Sequence, residues 1–173
     1  ELEVRHGTIG GGAGNVLFNS DSATIAGGVG NRIDFRSTGA FIGGGQGNQL
    51  DVYCNDSVIT GGSGNLMSIA ADASTIGGGM NNRMVDDARY STIAGGRENL
   101  VGQKSDRSAI GGGSQNQVVS EAPGATISGG IGNSVGIGAK LAVISGGESN
   151  QANGVYSVVA GGRLNIADGT NSF

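Results

Sequence analysis

An apolar residue recurs at a nearly constant interval along the chain, and two adjacent glycines follow each copy after one intervening residue. An Asn comes three residues after the second glycine, and a further apolar residue comes two positions after that Asn. The motif is therefore x-Ile-small-Gly-Gly-x-x-Asn-x-aliphatic, and it occurs ten times. The first apolar column comprises Ile9, Ile25, Ile42, Ile59, Ile76, Ile93, Ile110, Ile127, Ile144 and Val159.

The recurring Asn defines the register of the repeat. The interval between successive copies is 16, then 17 over seven steps, then 15. A period of 17 is too short for a helical hairpin and is typical of one turn of a β-solenoid. In such a fold each Asn can bond the backbone of its own turn and the Asn of the next coil. We expect a structural ladder of Asn15, Asn31, Asn48, Asn65, Asn82, Asn99, Asn116, Asn133, Asn150 and Asn165.

The pattern predicts an all-β fold, a parallel β-solenoid (β-helix or β-roll) of about ten coils with this period of 17. We expect residues 1–6 to form an N-terminal edge segment, 7–171 the repeat domain, and 172–173 the start of a further coil. At about 4.8 Å per coil the rod is roughly 45–50 Å long. The 37 glycines do not fall on every third residue and there is one Pro, which excludes collagen.

The residues on either side of the recurring apolar residue should point outward, because side chains alternate along a strand. Both flanking columns lack charged residues in all ten repeats. An uncharged strip of this length indicates lateral association. The leading column, a candidate oligomer interface or ice-binding strip, is Thr8, Thr24, Phe41, Val58, Thr75, Thr92, Ala109, Thr126, Val143 and Val158.

The segment between the Asn and the next strand is variable and charged, which predicts an exposed edge. Stacking in register places Arg89 between Asp72 and Asp106, so we expect attraction between coils along this column. A second column, of Asp87, Lys104 and Glu121, also alternates in sign. Asp34 and Asp51 are like-charged neighbours, which predicts either side chains that splay into solvent or a bound cation.

Aromatic and arginine side chains on the same edge are the residue types that recur in binding surfaces and stack on sugars. The candidate partner-binding residues are Tyr53, Arg89, Tyr90 and Arg107. The alternative interpretation is that they are ordinary exposed residues.

Catalytic and cofactor chemistry is sparse, and we expect neither a cofactor, nor a metal, nor catalytic residues. His6 is the only histidine, and Cys54 has no His in its stack. Asp86, Asp87 and Asp106 lie near one another on the edge, which leaves open a polysaccharide-cleaving site. The net charge of −4 disfavours a nucleic-acid partner, and the apolar runs are too short for membrane insertion.

Two segments carry a resemblance to known proteins. "YSTIAGGREN" at 90–99 and "YSVVAGGRLN" at 156–165 resemble the Gly-Gly-x-x-Asn head repeats of bacterial trimeric surface adhesins and segments of phage tail fibres and tailspikes. The resemblance implies a rigid homotrimer, extracellular on a cell surface or virion, that displays or forms a receptor-binding surface. Its partner would be a surface glycan or receptor.

Three functions from different classes remain open. The first is a non-catalytic structural and receptor-binding segment of a fibre or adhesin. The second is an ice-binding solenoid, because the strip carries Thr, Val, Ala and Ser. The third is a polysaccharide-degrading tailspike fragment. Oligomeric state separates the first two, since the strip is buried in a trimer and exposed in an ice binder.

Overall fold

The computed structural model describes residues 6–173, which wind into a parallel β-solenoid with two ten-stranded sheets. Each repeat contributes one two-residue strand to each sheet. The first sheet comprises β1 Thr8–Ile9, β3 Thr24–Ile25, β5 Phe41–Ile42, β7 Val58–Ile59, β9 Thr75–Ile76, β11 Thr92–Ile93, β13 Ala109–Ile110, β15 Thr126–Ile127, β17 Val143–Ile144 and β19 Val158–Val159. The second comprises β2 Val16–Leu17, β4 Arg32–Ile33, β6 Gln49–Leu50, β8 Leu66–Met67, β10 Arg83–Met84, β12 Leu100–Val101, β14 Gln117–Val118, β16 Ser134–Val135, β18 Gln151–Ala152 and β20 Ile166–Ala167.

The strands pair in the predicted register. Ile93 in β11 lies between Ile76 and Ile110, and every other strand pair follows the same rule. The ten strands of each sheet are therefore joined by about nine complete turns, each close to the predicted period. The prediction of a parallel β-solenoid is confirmed.

The core is a stack of narrow layers inside the coil. The second residue of nearly every strand is buried and the first is wholly or partly exposed, because side chains alternate along the strand. Small residues fill the rest of the layer, including Ala88 and Ser91 from one of the turns. The sequence pattern thus determines which side of each strand faces inward.

The Gly-Gly pair forms a corner that brings successive coils into backbone contact. Gly96 has φ +90°, and a Cβ atom built on it would lie 2.1 Å from the carbonyl oxygen of Gly113. Only glycine satisfies both conditions. The next residue, Arg97, pairs singly with Ser114 and Met80, which makes a third parallel contact row between coils.

The Asn ladder has the predicted form. Asn99 is buried, and its Nδ2 donates to the carbonyl oxygens of Gly95 at 2.9 Å and Gly113 at 3.1 Å. Its Oδ1 accepts from the backbone N–H of Asn116 at 3.0 Å. Each Asn therefore closes its own corner and links it to both neighbouring coils.

We expect Asn99→Ala to lower the free energy of unfolding by about 2 kcal/mol, because it leaves several buried backbone groups without partners. Urea unfolding followed by circular dichroism measures the change. Asn153→Ala is the control, since the Asn153 side chain is exposed and bonds the side chains of Gln151 and Asp168 at the surface. Equal stability of the two variants would contradict the structural role of the ladder.

Candidate functional site

The outward face of the first sheet is the uncharged strip, comprising the leading residue of each odd-numbered strand and the residue that follows that strand. The leading residues are all partly or fully exposed. Neither column contains a charged side chain over the whole stack. The following residues are Gly10, Ala26, Gly43, Thr60, Gly77, Ala94, Gly111, Ser128, Ser145 and Ala160.

Charged side chains lie on the other faces of the solenoid. The second sheet exposes Arg32 and Arg83 at the leading positions of β4 and β10. The row of single-residue bridges carries Arg97, Glu148 and Arg163. The strip is therefore a long neutral face, and the charged side chains lie on the other faces of the rod.

The turn edge is the segment between the second-sheet strand and the next first-sheet strand, for example 85–91. Asp87 and Tyr90 occupy left-handed corners there, with φ of 59° and 57°. Ala88 and Ser91, each next to one of these corners, point into the core. The two corners bend the chain back to the next strand and leave Tyr90 59% exposed.

The structure brings together two of the four predicted partner-binding residues. Arg107 follows Tyr90 by one coil, and its Cζ lies 5.8 Å from the centroid of the Tyr90 ring, a cation–π distance. A groove of about 240 Å³ adjoins Arg107 and is lined by Lys140 and Leu141 among others. Tyr53 lies on the turn edge two coils away from Tyr90 and contacts Arg36 instead.

Arg89 has a different partner from the one its charge column predicts. Its guanidinium bonds Asp87 in the same turn at 2.8 Å, not Asp72 or Asp106 in the neighbouring coils. Asp106 Oδ1 instead accepts from the backbone N–H of Arg89 at 2.9 Å. The Asp87 bond is the main cause that raises the pKa of Arg89, and Asp106 and Asp72 add smaller contributions. The predicted stacking of Arg89 and Asp106 is present, but Asp87 in the same turn lies closer to the Arg89 guanidinium than the stacked carboxylates do.

Two of the three acids that left open a cleavage site, Asp87 and Asp106, take part in these contacts. Asp87 is bound to the Arg89 guanidinium, and Asp106 accepts from the Arg89 backbone. Among residues 6–173 there is also no group of three or more His, Cys, Asp and Glu side chains placed to hold a metal ion. Both bound carboxylates hold the turns together.

Arg32 neutralises one member of the like-charged pair, Asp34 and Asp51. Arg32 Nε and Nη2 donate to the two oxygens of Asp34, each at 2.7 Å, and Asp34 is largely buried. This bidentate bond is the main cause that raises the pKa of Arg32. The expectation that both carboxylates splay into solvent is wrong for Asp34, because Arg32 two residues earlier neutralises it.

Cys54 is fully buried in the turn edge, where its thiol approaches the carbonyl oxygen of Ser68 at 3.0 Å. Burial raises its pKa to about 12. The thiolate is the reactive form of cysteine, so this thiol is chemically inert at neutral pH. Ser37 and Ser105 occupy the same position in other coils and make the same kind of bond.

We expect Cys54→Ser to change the free energy of unfolding by less than about 1 kcal/mol, because serine already fits this column. The native parent should not react with a thiol reagent at pH 8, and the urea-unfolded parent should react at its single thiol. Rapid labelling of the folded protein would show that Cys54 is accessible.

An aromatic cluster on the turn edge of the first coils was missed at the sequence level, apart from Tyr53. Phe18 and Phe35 have ring centroids 6.4 Å apart, and Arg36 lies over the Phe35 ring at 4.8 Å. The spacing carried the signal, since Phe35 follows Phe18, and Tyr53 follows Arg36, by one period of 17. The alternating charge columns, by contrast, lie in later coils, between Asp72 and Glu121.

No protein-family model and no curated protein matches the chain. Within residues 6–173 no helix is long and apolar enough to cross a membrane.

Proposed function

We propose that this chain is a non-catalytic segment of an extracellular fibre or adhesin, on a cell surface or virion, that assembles as a homotrimer. Its turn edge binds a surface glycan or receptor. The uncharged strip is the observation that carries the proposal, because it runs the length of the rod while the charged residues of the repeats lie on other faces.

The chemistry of the strip favours contact between chains. Its side chains are small or β-branched at nearly every level, which permits close approach of a neighbouring rod. No charge needs to be desolvated when two strips meet, and burying an unpaired charge is costly. The register of the strands repeats the same surface at every coil, so contact at one level continues along the stack.

The turn edge favours contact with a partner. It carries the exposed rings of Phe18, Tyr53, Tyr90 and Tyr156, and two of its arginines lie at cation–π distance from tyrosine rings. Aromatic and arginine side chains are enriched where binding energy is concentrated. The left-handed corners fix their backbone positions on a rigid scaffold.

A surface-attachment assay tests the binding half of this proposal. We expect the fluorescently labelled parent to bind a panel of bacterial and animal cells, and Tyr90→Ala to weaken binding to its target by at least about tenfold. The substitution should leave folding intact, because Ala73 occupies the same corner one coil earlier. Ile131→Ala is the control, since Ile131 is 57% exposed on another face.

The outcomes are distinct. Attachment of Tyr90→Ala at the parent's strength would remove this corner from the binding surface. A parent that attaches to no cell in the panel would overturn the proposed function.

Ice binding is a second candidate, favoured by the exposure of the strip in the single chain. Five of its ten leading residues are Thr, and the strands hold them in parallel register. Phe41 interrupts this column with a bulky ring. This function requires a monomer with a free strip.

A further inference from the structure

The aromatic platform is the group formed by Phe18, Phe35, Arg36 and Tyr53 on the turn edge of the first three coils. The chain has only four Phe and three Tyr, so three of seven aromatic residues lie together here. Phe18 is 53% exposed and Tyr53 is 41% exposed. These rings are therefore concentrated at one place on the surface.

Arg36 joins the rings into one unit. Its Cζ lies 4.8 Å from the Phe35 centroid and 5.9 Å from the Tyr53 centroid, and its Nη1 donates to Tyr53 Oη at 3.1 Å. The described residues place no carboxylate within ion-pair distance of this guanidinium. Its other N–H groups remain available to a ligand.

Folding does not require these side chains. The turn after Asn65 builds the same corner with Ser68 at the position of Phe18 and Ala70 at the position of Tyr53. Ser120 occupies the position of Phe35 in a later coil. Exposed rings at positions where small residues suffice indicate a surface used for binding.

We propose that the aromatic platform binds a neutral saccharide, a hexose-containing glycan whose ring faces lie against Phe18, Phe35 and Tyr53. The local charge selects against an acidic glycan. Asp51 and Asp56 lie within three residues of Tyr53 in the sequence, Asp34 is neutralised by Arg32, and the chain as a whole has a net charge of −4.

The chemistry of the platform matches such a ligand in two respects. Aromatic faces give apolar contact with the C–H groups of a sugar ring, and the rings of Phe18 and Tyr53 are exposed. The Arg36 N–H groups and Tyr53 Oη can bond sugar hydroxyl groups, which fixes orientation. The inference deepens the proposed function and rests on it, since it assigns a glycan to one part of the turn edge.

A glycan array probed with the labelled parent tests the assignment, with neutral hexose glycans and uronate or sulfated glycans on the same slide. We expect the parent to bind neutral members. The variant with Phe18→Ser and Tyr53→Ala should lose at least tenfold of that binding. Ile131→Ala should retain it, because Ile131 is exposed on another face, outside the turn edge. Circular dichroism should show that both variants keep the parent's fold.

Three results would contradict the binding of a neutral saccharide by the aromatic platform. They are the absence of binding to every neutral glycan, binding only to acidic glycans, and neutral binding that survives the double substitution. Each is separate from the proposed function. If the parent attaches to cells and only Tyr90→Ala weakens attachment, the fibre proposal stands and the platform fails.

Discussion

Gly96→Ala should strongly destabilise the middle of the solenoid. The new Cβ would lie 2.1 Å from the carbonyl oxygen of Gly113 and 2.8 Å from Asn99 Nδ2. The first contact is with backbone of the next coil, so the two coils have to separate. The φ of +90° is also unfavourable for alanine.

We expect a loss of about 3–6 kcal/mol in the free energy of unfolding, the sum of backbone strain and overpacking. Because each coil contacts only its neighbours, the damage should divide the array and broaden the urea transition. The matched control is Gly47→Asn, at a corner with φ +63° and no atom within 4 Å of the added Cβ. Asn81 already occupies that column, so the control should stay within about 0.5 kcal/mol of the parent. Equal stability of Gly96→Ala and the parent would mean that the coils are not in this contact.

Thr92→Lys should abolish assembly while leaving the single chain folded. Thr92 is an exposed residue at the centre of the strip, so a lysine there is tolerated in the free chain. In the proposed trimer three ammonium groups would be desolvated without partners, at a cost of several kcal/mol of association. Size-exclusion chromatography with light scattering measures the loss.

Two substitutions separate charge in the strip from charge elsewhere. Thr92→Val should assemble like the parent, because Val58 and Val143 occupy the same column. Gln117→Lys places the same charge on the second sheet, in a column that already exposes Arg32 and Arg83, and should also assemble. Assembly of Thr92→Lys at the parent's strength would place the interface on another face.

The repeated features of the fold were predictable from sequence because each is imposed ten times. Strand register, the glycine corner and the Asn ladder all follow from coils that superpose at one period. Asn99 shows this well, since its predicted bonds to its own turn and to the neighbouring Asn residues are both present.

The turn edge was less predictable because its contacts are local and differ between coils. Arg89 binds Asp87 within one turn, although stacking predicted attraction to carboxylates in adjacent coils. Arg32 binds Asp34 within another turn, and the charge columns did not include Arg32. Comparing positions one period apart does not reveal ion pairs between residues that lie two positions apart in the sequence. The aromatic platform was not predicted because its residues fall in different columns. The first interval between Asn copies is 16 rather than 17, which shifts Phe18 out of column with Phe35 when columns are counted from Asn.

The mass of the parent in solution tests the central claim most directly, since a neutral strip can form an interface only if copies of the chain associate. Light scattering should give about three times the 17.0 kDa mass of one chain, unchanged on moderate dilution. A mass of one chain would contradict the trimer and leave the strip exposed, as an ice-binding face requires.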